Sequence, residues 1–282
     1  MPDIIEKLGS SVIQHGKGSD RIYLMKLSPS DMPMIIEQME QLAEANDYGK
    51  IFCKVPDSVV SAFIQAGYQE EARIPKFFNG SEDAAFMSRF GKSERRYISD
   101  EQQTAIQKVL NTAKQKRKFS TGRPGANYCI RRLKAEDTAQ LARLYRDVFP
   151  SYPFPIFDPP YLRETIASHI RYFGVFDGDR LVAASSAETD LDALNAEMTD
   201  FATDQDHRKK GLSVALLKTM EADMETTGCV TLYTIARALS VGMNITFASC
   251  DYRFAGTLLN NTQISGNLES MNVWHKNPVS SP

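Results

Sequence analysis

From residue 128 onward the spacing of apolar positions changes period several times, and each change marks an element. Tyr128 to Leu133 reads as a short strand. An acidic helix start at Glu136-Asp137 follows, with Leu141, Leu144, Tyr145 and Val148 at helical spacing until Pro150 ends the helix. A second helix is predicted from Pro160 with Leu162, Ile166 and His169. The loop before it, SYPFPIFDPP, is stiff and aromatic enough to line a substrate mouth. RYFGVFDGDRLVAASSAETD then holds two apolar runs around Asp177-Gly178-Asp179, a hairpin signal. Next come a strand AEMTDFAT, a polar turn, a helix from Gly211 to about Thr227, a strand VTLYTIA and a helix from about Ser240 to Cys250. Two last strands are expected near Gly256 to Leu259 and Ser270 to His275. The order β-α-α-β-β-β-α-β-α-β-β predicts a mixed α/β layer structure.

Between Gly91 and Asn127 the apolar pattern thins to one polar helical segment ending in Lys114, Lys116, Arg117 and Lys118, which Gly122, Pro124 and Gly125 stop. At ~150 residues per domain, 282 residues suggest two domains. The thin stretch is the natural connector: residues 1-95 form a smaller N-terminal domain, 96-127 the connector and 128-282 the main domain. The basic run suits a solvated helix C-terminus better than a nucleic-acid site. With 33 basic against 35 acidic residues, nothing drives the chain as a whole toward nucleic acid or an anionic membrane. The N-terminus has no basic n-region or apolar core, and no stretch approaches the roughly 18 apolar residues of a membrane span, so a cytoplasmic protein is expected. Cys53, Cys129, Cys229 and Cys250 lie far apart without CxxC spacing, which predicts buried free thiols and no metal.

The most informative stretch is DQDHRKKGLSVALLKTM, where a strand leads through Arg208-Lys209-Lys210-Gly211-Leu212-Ser213 into an amphipathic helix. A helix N-terminus offers unpaired N–H groups and partial positive charge, so basic and small residues crowded there can hold a pyrophosphate. Gly211 lets the backbone approach closely, and Ser213 adds an N–H and a hydroxyl. Alone, the string also reads as a plain charged helix start.

Together with the element order, however, the string resembles the GNAT N-acetyltransferase superfamily, whose Gln/Arg-x-x-Gly-x-Gly/Ala loop binds the coenzyme A pyrophosphate. This chain keeps Arg208 and Gly211 and places Ser213 at the last small position. The resemblance covers residues 128 to 276 and implies a mostly antiparallel mixed sheet flanked by helices, with acetyl-CoA as cosubstrate and a small-molecule amine as acceptor. It implies that the backbone of Phe201, Ala202 and Thr203 pairs with the pantetheine arm, and that Asn244 lies near the coenzyme. An alkyl amine titrates near 10.4, so losing its proton at neutral pH costs roughly 4 kcal/mol and a base is needed. The resemblance places Glu197 there, with Asp200 as the alternative; strand alternation predicts that only one of them faces the substrate. Glu188, Asp190 and Asp192 either add negative charge for a cationic amine or sit on a solvated loop. Where many family members carry an acidic tyrosine this chain has Phe247, and Tyr252 matches a packed aromatic.

An internal echo extends the reading to the N-terminus. Aligning residues 59–90 with 243–275 brings Phe63 onto Phe247 and Tyr68 onto Tyr252, so the N-terminal domain looks like a partial copy of the same fold without a phosphate loop. It is expected to pack or shape substrate access, not to bind coenzyme. The whole layout, with HGKGSDRIYLMKL, closely resembles the beta-lysine N-acetyltransferases of bacteria and archaea. That resemblance implies acetylation of the side-chain amine to give a neutral compatible solute. Another amine acceptor, or a non-catalytic acyl-CoA-binding module, is the alternative. The substrate carboxylate needs a cation, for which Arg163, Arg171 and Arg237 are candidates the sequence does not separate; a homodimer is left open.

Overall fold

The computed structural model describes residues 3–116, 125–264 and 266–277. Arg117, Lys118, Gly122 and Pro124 of the expected connector lie outside them. The N-terminal half runs β1 (Ile4–Leu8), β2 (Ser11–Gly16), β3 (Arg21–Lys26), α1 (Met34–Ala45), β4 (Lys50–Pro56), α2 (Val60–Gln65), β5 (Gln69–Phe78) and β6 (Glu82–Phe90). Two helices follow, α3 (Ser93–Arg96) and α4 (Asp100–Lys116). The C-terminal half comprises β7 (Tyr128–Arg132), α5 (Thr138–Val148), α6 (Pro159–Ile166), β8 (Ile170–Asp177), β9 (Arg180–Asp190), β10 (Asn195–Thr203), α7 (Leu212–Thr227), β11 (Thr231–Arg237), α8 (Val241–Ser249), β12 (Arg253–Ile264) and β13 (Asn267–Lys276). The element order after residue 128 is the expected one, but the two last strands are longer and α6 stops before His169.

All strands join one 13-stranded sheet in the order β1-β2-β3-β4-β6-β5-β12-β13-β11-β10-β9-β8-β7. It is mixed and mostly antiparallel: the parallel pairs are β3–β4 and β10–β11. The echo is visible as topology, because β1-β2-β3-α1-β4-α2-β5-β6 repeats the path of β8-β9-β10-α7-β11-α8-β12-β13. In both copies the aromatic pair meets edge to face with ring centroids 5.1 Å apart, Phe63 on Tyr68 and Phe247 on Tyr252. The same shift carries Gly67 onto Asp251, both left-handed (φ 84° and 68°).

The halves meet where β5 pairs antiparallel with its own counterpart β12, at Ala72 and Gly256, positions that the same alignment equates. A pseudo-twofold axis therefore runs through the seam. Gly256 is required there: at φ 156° a Cβ would lie 2.2 Å from the Glu71 carbonyl oxygen. Beside it the buried Lys50 ammonium donates to Glu71 Oε2 (2.7 Å) and to the Leu259 carbonyl (2.8 Å). Pairing an interior charge this fully avoids the several kcal/mol that an uncompensated one costs.

Side-chain alternation divides each half into two faces. In the N-terminal half Ile22, Leu24, Ile51, Cys53 and Val55 pack under α1 and α2. Tyr23 and Phe52 point the other way and join Tyr233, Met271 and Val273 of the C-terminal half. In that half α7, α8 and α4 cover one face, with Ile106, Leu110 and Ala113 of the polar-looking α4 buried among them. Helices α5 and α6 cover the other. The sheet curls enough for strands near its two ends to approach, as Lys26 of β3 reaches Asp192 after β9 (3.4 Å). Three of the four cysteines are buried; Cys129 is exposed, because β7 is an edge strand. Among the described residues no helix is long and apolar enough to cross a membrane.

Candidate active site

Strand β10 positions the site by leaving its neighbour. It pairs with β11 only at Asn195–Thr231, Ala196–Leu232 and Glu197–Tyr233. On its other edge the register with β9 shifts between Thr199 and Ala202, where Asp200 adopts φ 55°. The bulge bends β10 away from β11 and frees backbone groups that a regular ladder would consume. A cleft of about 650 Å³ opens there, bounded by Phe201 and Thr203 on one strand and Thr234 to Arg237 on the other. At its mouth lie Arg208, Lys209, Gly211, Leu212 and Ser213, with Gly242, Met243 and Thr246 of α8 opposite. Lys209 and Gly211 are both left-handed (φ 63° and 76°), the kind of alternation that turns successive N–H groups into an anion-binding concavity. Gly211 also caps α7, a 16-residue helix whose positive end faces the cleft.

Two residues expected at the coenzyme sit elsewhere, while Ala202, expected there chiefly by its backbone, turns its side chain into the core beneath α5. Lys210 is solvent-exposed outside the cleft lining. Asn244 is fully buried with its amide spent: Nδ2 donates to the Arg237 and Ser240 carbonyls (3.1 and 2.8 Å), and Oδ1 accepts from Asn272 and Trp274 (2.8 and 2.9 Å). It ties α8 to the end of β11 and so holds Thr246 and Met243 at the cleft from behind.

A second cavity, about 720 Å³, adjoins the first. Tyr152, Thr199, Asp200, Ile235, Ile264 and Met271 line both. The expectation that only one of Glu197 and Asp200 faces the substrate fails, because the bulge resets the alternation and both line this cavity. Burial pushes the Glu197 carboxyl up to about 7; Glu188 adds to the rise, while the Lys54 ammonium and the Tyr233 hydroxyl oppose it. Lys54 Nζ donates to the Tyr233 hydroxyl (2.8 Å), and both groups favour the ionised Glu197 carboxyl. Lys54 belongs to the N-terminal half. Burial lowers its own affinity for a proton, and Glu197, Glu188 and Asp190 raise it. Asp200 accepts from Ser186 (2.6 Å) and from Tyr152, and burial raises its carboxyl against those bonds.

The acidic trio is part of the wall: Glu188, Asp190 and Asp192 line the same cavity, with Lys26 3.4 Å from both aspartates and His169 3.5 Å from Glu188. Tyr152, Pro153, Phe154 and Ile156 of the proline-rich loop also line it. Phe247 has no hydroxyl to offer and packs edge-on against Phe201 and Tyr252. Of the three arginines considered for a carboxylate, Arg163 is exposed on α6 away from both cavities, Arg171 lines the second cavity but pairs with Asp223 (2.7 Å), and Arg237 lines the first and pairs with Glu269 (2.8 Å). Lys54 and Arg21, both cavity residues from the N-terminal half, were missed. Their signal is parity: each is a cation in a strand position of the same phase as a buried aromatic, Phe52 or Tyr23.

A cleft at splayed parallel strands, ending on a basic helix start and opening into an acid-lined cavity, has the geometry an acyl-CoA transferase requires. Residues 138–241 match the acetyltransferase (GNAT) family model, and the chain belongs to that family. It is 38% identical over 276 residues to the beta-lysine N(6)-acetyltransferase of Methanococcus maripaludis, covering 98% of this chain and 99% of that one. It is 29% identical over 255 residues to the beta-lysine N(6)-acetyltransferase of Methanosarcina mazei, covering 84% and 94%. With the N-acetyltransferase YodP of Bacillus subtilis it shares 35% identity over 195 residues, 68% of this chain and 70% of that one. The chain is an N-acetyltransferase that draws its acetyl group from acetyl-CoA.

Proposed function

We propose that the chain acetylates the side-chain N6 amine of beta-lysine, in the cytoplasm, giving a neutral zwitterion suited to accumulation as a compatible solute. The observation that carries the acceptor's charge class is the meeting of the coenzyme cleft with a cavity walled by Glu188, Asp190, Asp192, Glu197 and Asp200. The two full-length relatives named for beta-lysine support the particular amine. The pyrophosphate would sit on the Arg208–Ser213 loop, the pantetheine between β10 and β11 and the acetyl group at their point of divergence. Glu197, with a carboxyl near 7, accepts a proton from the substrate ammonium. The N6 lone pair then attacks the thioester carbonyl, the C–N bond forms, the C–S bond breaks, and the nitrogen sheds its second proton as the departing thiolate takes one up.

Release of free CoA thiol from acetyl-CoA, with beta-lysine, alpha-lysine, spermidine and a lysine peptide offered in parallel, tests the reading. Turnover centred on beta-lysine is expected. Turnover of another amine alone would keep the chemistry and overturn the acceptor.

A further inference from the structure

The cavity is bipolar. Its carboxylates lie along β9 and β10, from Asp190 beside the start of β10 to Asp200 at the coenzyme cleft, whereas the wall supplied by β3 and β12 carries a buried guanidinium. Arg21 is 4% exposed, and among the described residues it forms no ion pair with a carboxylate. Its Nη1 donates to the Asn261 carbonyl (2.7 Å), its Nη2 reaches Gln14 only at 3.5 Å, and its Nε–H has no partner. Two more buried polar atoms lie unsatisfied on the same wall, Asn261 Oδ1 and Thr262 Oγ1, in residues 1% and 5% exposed.

The backbone explains why they are there. Strand β12 loses register with β13 between Leu258 and Thr262, and Asn260 turns left-handed (φ 41°). That irregularity presents the Asn261 carbonyl to Arg21 and brings Asn261 and Thr262 to the cavity. Even after burial lowers its proton affinity to about 10, Arg21 stays charged at neutral pH. Asp3 and Glu197 support its charge from a distance, but no carboxylate bonds it directly, and an interior guanidinium so placed gains from a ligand that supplies one. Arg95 also has unpaired nitrogens, but it is ion-paired to Asp20 (3.3 Å) and lies off the cavity wall.

We infer that Arg21 and Thr262, with the Asn261 carboxamide beside them, form a carboxylate-anchoring subsite that holds the acid head of an amino-acid substrate while its far amine reaches Glu197. A guanidinium and a hydroxyl donate to the carboxylate, and the carboxamide oxygen can accept from an ammonium on a neighbouring carbon. The chain thereby selects amino acids over plain polyamines, which share the amines and lack the anion. This rests on the proposed acceptor only in its choice of beta-lysine; the subsite itself asks for any carboxylate-bearing amine of that reach.

The experiment pairs each acid with its decarboxylated twin: beta-lysine with 1,4-diaminopentane, and alpha-lysine with 1,5-diaminopentane. Wild-type kcat/KM is expected to favour the acid, and Arg21→Met to reduce that preference about 100-fold, as for a charged hydrogen-bonded partner lost. Thr262→Val, which keeps the shape of the side chain, should reduce it about 10-fold and stands in if Arg21→Met fails to fold. Melting temperature and acetyl-CoA affinity are read for both variants. A preference confined to the alpha-lysine pair and lost in the variants would keep the subsite and overturn beta-lysine. No preference for either acid in the wild type, or an equal fall on acid and diamine in the variants, would overturn the subsite.

Discussion

The two halves of this molecule follow one chain path and do different work. In the N-terminal copy β3 stays paired with β4 from Arg21–Lys50 through Leu24–Cys53, and the connection to α1 contains Pro29, Asp31 and Pro33. In the C-terminal copy the matching pair parts after Glu197, and the connection is basic with two left-handed residues. What sets the proposed coenzyme site apart from its copy is therefore a bulge, a short parallel ladder and a loop of the right sign, not the order of strands. The copy without them supplies wall: Tyr23 stands where Glu197 stands in the other half, and Arg21 and Lys54 reach into its partner's cavity.

The largest effect should come from the position that differs most in chemistry. Glu197→Gln is expected to lower kcat/KM by about 10²- to 10⁴-fold, the usual worth of a general base, with acetyl-CoA affinity unchanged. Its counterpart change Tyr23→Phe should cost far less. Comparable losses would mean that the buried carboxylate is not the base. Next in size is the seam. Gly256→Val forces a side chain into the Glu71 backbone and should destabilise the fold by about 3 kcal/mol, read as a lower denaturation midpoint. A wild-type midpoint would show that the halves are not held together at this axis.

How much of this was legible follows from range. The elements after residue 128, the loop at Arg208 to Ser213 and the echo through Phe63 and Tyr68 are local patterns with fixed spacing, and the fold carries all three. The facing of Asp200 was not legible, because alternation assumes a regular strand and nothing local announces the bulge. Nor was the use of Asn244: a buried asparagine and a ligand-facing one have the same local sequence, and its partners Asn272 and Trp274 are a strand away. Arg21 and Lys54 lie over a hundred residues from Glu197, so their meeting depends on the curl of the whole sheet. Their phase within β3 and β4 was the available hint.

The interdigitation of the halves can be read by pH. As the proposed base Glu197 must be deprotonated to act, so activity should rise with pH through about 7. Lys54→Met removes a cation that holds this carboxyl down, so the acid limb of kcat/KM should move to higher pH and turnover at pH 7 should fall while the alkaline plateau persists. Glu188→Gln removes a like charge and should move the limb the other way. Two limbs that do not move, or that move together, would uncouple the N-terminal half from the base.

The smallest effect belongs to the loop side chains, because Arg208 and Lys209 are exposed and in the proposed site the backbone N–H groups would carry most of the phosphate contact. Replacing both by Ala should weaken acetyl-CoA binding roughly 3- to 10-fold at low salt, with the deficit shrinking as ionic strength rises and screens exposed charge. The N-terminal counterpart supplies the contrast: there Asp31 takes the Ser10 N–H and the Ser11 hydroxyl (2.9 and 2.6 Å), putting a carboxylate where the other half puts cations. Titration calorimetry should accordingly find one acetyl-CoA per chain, and a second site of similar affinity would mean that the loop's sign does not decide which copy binds.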